Sequence, residues 1–164
     1  MISIQDVYDA FKGSFGLNVR VLRDICGVRF VELTPKSGTP LHLSSAPGAT
    51  CRIPLDTVIA PDVILNHAWE AATIHQLRSL IEGRVRAATL VDIGGHAGLF
   101  TRQMMAASPE CRAAFVYEPH PENYSCMVHN LAPLKKARTH HCALGAETGV
   151  LEFFLDPDNS GNYS

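Results

Sequence analysis

The chain has 164 residues, 46% of them hydrophobic and 18% charged, the size and make-up of one ordinary globular domain able to bury a core. A net charge of −2 without long runs of one sign leaves no electrostatic footprint for nucleic acid or an anionic membrane surface, so small-molecule or protein substrates are favoured. No basic flank precedes an apolar stretch at the start, no run is long enough to span a bilayer, and the five cysteines include no C-x-x-C pair, so a cytoplasmic protein with free thiols is expected.

In chain order, Ile4, Val7, Tyr8 and Phe11 make a short amphipathic start, and strand-like pieces follow at Val19–Leu22, Val28–Leu33 and Pro40–Leu43, divided by Gly and Pro. Residues 1–60 therefore read as a small β-rich lead-in. Ile74, Leu77 and Ile81 recur at i, i+3 and i+7 and predict a helix from about Asn66 to Glu82, with Gly83 where a helix would stop. The pattern then alternates: strand at Thr89–Ile93, helix at Gly98–Ala107, strand at Ala114–Glu118, helix at Pro121–Leu131, strand at Arg138–Cys142. Strands separated by helices of about ten residues predict an α/β domain with a parallel sheet and flanking helices over residues 61–164. A last strand is expected at Val150–Leu155, after the turn Glu147-Thr148-Gly149.

The chemistry is expected at the junction Leu90-Val91-Asp92-Ile93-Gly94-Gly95-His96-Ala97-Gly98-Leu99-Phe100. Ligands of open α/β sheets settle outside the carboxyl ends of the strands, where a glycine-rich turn admits close backbone approach. Gly94 and Gly95 suit positive φ in the turn, and Gly98 suits tight packing of the helix on the strand. Counting from Gly94, His96 and Leu99 stand where a dinucleotide fingerprint needs its second and third glycines, and the turn has no lysine for a P-loop. Asp92 would repel a pyrophosphate but suits a ligand carrying an ammonium group, such as S-adenosylmethionine. Glu118, ending the next parallel strand, is placed to accept hydrogen bonds from ribose hydroxyls. On that reading Glu118→Ala should weaken a nucleoside ligand and barely change folding.

These residues, with Val116-Tyr117-Glu118-Pro119-His120-Pro121-Glu122-Asn123, Asn130-Leu131, Ala143-Leu144-Gly145, Trp69-Glu70 and Ser160-Gly161, resemble the FkbM family of methyltransferases over roughly residues 54–164. The resemblance implies a Rossmann-like class I methyltransferase fold and O-methyl transfer from S-adenosylmethionine to a sugar or other small-molecule hydroxyl. It also implies that Asp92, Gly94, Gly95, His96 and Gly98 hold the methionine end of the cofactor, with Glu70 helping. Glu118 would hold the ribose, Pro119 and His120 the adenine edge, and Cys142 and Ala143 its far side. The family usually has Ala and Asn where this chain has Gly95 and His96. Its pattern also continues to a further strand ending in Asp-x-Glu-Gly, so the domain reads as truncated, with Leu90, Val91 and Ile93 on an unpaired edge that a homo-oligomer would hide.

Each residue has a plainer reading: the glycines as a turn alone, Glu118 and Glu70 as solvated acids, His96 as a helix-entry group, Trp69 as a core anchor. No residue is named as a catalytic base. A zinc site from Cys126, His129, His140, His141 and Cys142 is not supported by spacing, because a core face of Tyr124, Met127, Val128 and Leu131 leaves Cys126 and His129 off the stripe. Two other classes stay open: a module that binds the cofactor without turnover, and an α/β domain for another nucleotide such as NAD.

Overall fold

The computed structural model describes residues 16–25, 28–36, 50–150, 152, 154, 156 and 159–161. The amphipathic start and the strand expected at Pro40–Leu43 lie outside them. The front of the chain is an antiparallel sheet in the order β1 (Leu17–Ile25), β2 (Val28–Pro35), β3 (Cys51–Leu55). Arg20, Glu32 and Arg52 stand directly opposite one another on the three strands. Both arginines bond the Glu32 carboxylate, at 2.6 and 3.0 Å, and hold it below the usual carboxylate range. β3 was not anticipated, because Pro54 interrupts it. A proline is tolerated there since β3 is an edge strand among the described residues.

Two helices follow, α1 (Ile59–Asn66) and α2 (Ala71–Ile81). The single helix expected from Asn66 is thus corrected: residues 67–70 are a bend in which His67 (φ 54°) and Glu70 (φ 48°) are left-handed, a conformation that cannot continue a helix. α1 carries Pro61 within its first turn, where the missing N–H removes no helical bond.

The rest alternates as the sequence indicates: β4 (Ala88–Ile93), α3 (Leu99–Ala107), β5 (Cys111–Tyr117), α4 (Pro121–Leu131), β6 (Ala137–His140). The three strands form a parallel sheet in the order β4-β5-β6, flanked by helices, so the protein is α/β. In the strand expected at Val150–Leu155, the described residues Val150, Glu152 and Phe154 are not in a strand, and Val150 and Phe154 are exposed. The others of that stretch lie outside the described residues.

α4 lies between the two sheets. Met127 and Leu131 pack on Ala114 and Val116 of β5, while Cys126 joins the core beneath Phe30, Leu33 and Ile53. The expected single stripe on this helix is therefore corrected: Cys126 is buried and Val128 exposed, because a helix covered on two sides buries a wider arc than one sheet would require. The same front core takes in Ala97 and Leu99 beside the glycine turn, so it runs on across residue 60. No helix among the described residues is long and apolar enough to cross a membrane.

Among the described residues β4 is an edge strand, its alternate side chains Val91 and Ile93 are 56% and 64% exposed, and Phe115 of β5 is exposed next to them. Parallel sheets are ordinarily covered on both faces, and an unpaired ladder beside apolar side chains recruits other chains. Light scattering on the purified chain is expected to give a mass that rises with concentration, and Ile93→Lys to reduce the rise. A constant monomer mass for the parent chain would show that this edge is not adhesive.

Candidate functional site

The turn after β4 is built around Glu118. Gly94 and Gly95 each donate a backbone N–H to Tyr117 O at 2.9 Å, tying the turn to the end of β5. The Glu118 carboxylate accepts the His96 N–H at one oxygen and the His120 N–H at the other, both at 2.8 Å. His96 takes φ 50° under that restraint, and His120 caps α4 by accepting the Asn123 N–H at Nδ1. Glu118 is only 2% exposed, and burial pushes its carboxyl above the usual range, partly offset by the two amides.

The three glycines do different work. Gly94 has φ 78°, and a Cβ there would meet nothing within 4 Å, so its open side belongs to whatever approaches the turn. Gly95 is not left-handed, contrary to expectation. A Cβ on it would stand 2.3 Å from Val116 Cγ1, so packing against β5 demands the glycine. Gly98 has φ 75°, and its Cβ would lie 3.0 Å from both Leu131 and Met127, so it brings the start of α3 against α4 rather than against a strand.

A second buried group, Asp56, meets the turn through Ser160. Asp56 Oδ1 accepts the N–H groups of Val58, Ile59 and Ala60, satisfying the start of α1. Its other oxygen accepts both the N–H and the hydroxyl of Ser160. Asn123 Nδ2 donates to Ser160 O at 3.0 Å, and Ser160 Oγ lies 2.8 Å from His96 Nε2. Since the serine has one hydroxyl proton and gives it to Asp56, His96 carries its own proton on Nε2 and donates it.

Burial pushes the His96 imidazole down to about 4, with the Asp56 charge opposing and His120 assisting. His120 and His129 are lowered as well, chiefly by burial. A histidine whose folded value is depressed contributes stability that is fully present above about 6.5 and is lost as pH falls towards about 4. Urea midpoints are therefore expected to fall between pH 6.5 and 4, and His96→Asn, which tolerates the left-handed backbone, to flatten that fall. An unchanged slope in the Asn variant would show that His96 does not set it.

These elements surround a cavity of about 370 Å³ lined by Ile59, Trp69, Glu70, Thr73, Asp92, Gly94, Gly95, His96, Leu99, Phe100 and Gly161. Small-molecule sites run from about 300 to 1,000 Å³. Of the residues singled out from sequence, Glu70, Asp92, Gly94, Gly95 and His96 line it. Gly98, Glu118, Pro119, His120, Cys142 and Ala143 do not. Glu118 reaches the cavity through His96, His120 is buried against α4, and Cys142 and Ala143 are exposed beyond β6. Asp92 accepts a 2.5 Å bond from Thr101 Oγ1, and burial raises its carboxyl despite that bond. Two carboxylates thus border the cavity, half-buried Asp92 and exposed Glu70, and among the described residues its lining holds no lysine or arginine.

Thr101, Gln103, Asp56 and Thr73 were not singled out from sequence. Only Asp56, an acid just before the apolar run that opens at Val58, carried a local signal, that of a helix start. Among the described residues no group of three His, Cys, Asp or Glu is arranged to hold a metal. Burial pushes Cys51 and Cys126 up to about 12, which makes both poor nucleophiles. No family model matches this chain, and neither a curated protein nor a solved structure matches it.

Proposed function

We propose that the cavity binds S-adenosylmethionine and that the protein is a methyltransferase with a Rossmann-like fold, acting on a hydroxyl of a sugar or other small molecule in the cytoplasm. The observation that carries this reading is that Asp92 and Glu70 both line a glycine-turn cavity whose lining, among the described residues, holds no lysine or arginine. Asp92, partly buried and short of water, gains most from a cationic partner, and an ammonium or sulfonium is one. Phosphates of NAD or ATP would meet two acids and no compensating cation. The open side of Gly94 suits a ligand that presses on the backbone.

Bound there, the cofactor supplies a methyl group already made electrophilic by its sulfonium. The chain's own part is to hold the amino-acid end between Asp92 and Glu70 and to keep the turn rigid through Glu118. The Trp69 and Phe100 rings would shield the cavity from water.

Calorimetric titration with S-adenosylmethionine, S-adenosylhomocysteine, NAD and ATP tests the reading. The two sulfur nucleosides are expected to bind and the phosphates not. Gly94→Val, which forces a β-branched residue to φ 78° and fills the approach, should weaken S-adenosylhomocysteine by about tenfold or more. Binding of NAD alone would end the proposal. Cofactor binding without methyl transfer to any hydroxyl-bearing acceptor would favour a binding module instead.

A further inference from the structure

Gln103 lies one turn into α3, 6% exposed, and spends its whole amide on backbone. Its Oε1 accepts the Trp69 N–H at 3.0 Å, and its Nε2 donates to Trp69 O at 2.8 Å and to Leu99 O at 3.1 Å. The side chain thus pairs with both polar groups of one residue, as a neighbouring strand would. That residue sits in the 67–70 bend, between two non-glycine left-handed positions, His67 and Glu70. Left-handed backbone is costly for a non-glycine residue, and such strain persists only where the surroundings over-determine it. The other anchor is α2, where Ile74 N donates to Glu70 O at 3.1 Å. Trp69 and Glu70, the two residues fixed between these anchors, both line the cavity with Asp92.

We propose that Gln103 is a positioning residue that sets ligand specificity: by clamping Trp69 it holds Glu70 in the cavity, and so selects ligands that carry an ammonium group. Leu99 O ties the same amide to the first turn of α3, so the bend and the glycine turn are held in one register. Without the clamp the strained bend relaxes and Glu70 leaves the cavity, while Asp92 and the turn itself stay in place. The inference rests on the S-adenosylmethionine reading.

The test compares S-adenosylhomocysteine with 5′-methylthioadenosine, which has the same adenosine and thioether but lacks the amino-acid end. In the parent chain the first should bind more tightly. Gln103→Leu and Glu70→Asn should each cut that preference by about tenfold, the worth of a hydrogen bond to a charged group. The weaker ligand should be nearly unaffected. Asn accepts the left-handed backbone, so Glu70→Asn removes the charge while leaving the bend in its conformation. In the Glu70→Asn background Gln103→Leu should reduce the preference no further, a non-additivity that a general loss of stability would not produce. Gln103→Glu keeps the acceptor for Trp69 N–H and gives up both donated bonds, so it gives a second measure should the leucine variant fail to fold. An unchanged preference in a folded Gln103 variant, or equal losses in both backgrounds, overturns the inference and leaves the cofactor reading intact. If the parent chain binds neither ligand, that reading fails first.

Discussion

Asn130→Leu is expected to destabilise the protein by about 3–5 kcal/mol, since it orphans one buried and two part-buried backbone groups at roughly 1–3 kcal/mol each. The Asn130 amide accepts the Arg52 N–H at 2.7 Å and donates to Arg52 O at 2.6 Å and to Ala97 O at 2.7 Å. Arg52 lies on β3, whose outward N–H and C=O groups meet no further strand among the described residues. One side chain from α4 stands in for that strand and, through Ala97, holds the glycine turn as well. Asn130 is 0% exposed, so water cannot replace what it gives up. Total stabilities of about 5–15 kcal/mol leave the variant close to unfolding at room temperature. Urea denaturation measures the loss, and a shift below about 1 kcal/mol would mean that the three groups find other partners.

Glu118→Ala is expected to cost about 2–4 kcal/mol of stability, because two amides lose a charged acceptor. The variant recovers the desolvation cost of the buried carboxylate, which keeps the figure below the sum of two full bonds. This reverses the expectation from sequence, which gave Glu118 to a ribose and left folding almost untouched. The carboxylate is 2% exposed and holds His96 at φ 50°. S-adenosylhomocysteine affinity should fall too, through loss of the turn. A variant that melts with the parent chain yet loses the ligand would return Glu118 to the purely ligand-facing part.

By itself the sequence determined the alternation of strands and helices from Ala88 to His140, because each element there carries its own period and its own stop signals. It also located the glycine turn and placed Asp92 at its mouth, since strand end and glycines are adjacent in the chain. The outcome at Gly83, left-handed just past α2, was legible for the same reason. Only the tertiary structure decided which glycine faces open space and which faces protein, since Val116, Met127 and Leu131 make that choice from other elements. It likewise decided that α4 buries Cys126 as well as Met127, and that a proline-containing strand survives at an edge. Glu118, Asn130, Gln103 and Asp56 owe their roles to backbone groups between 2 and 104 residues away. A hydrogen bond across that separation leaves no periodic trace in the sequence. Buried amides must nevertheless be paired, and the side chains that pair them shape the candidate site.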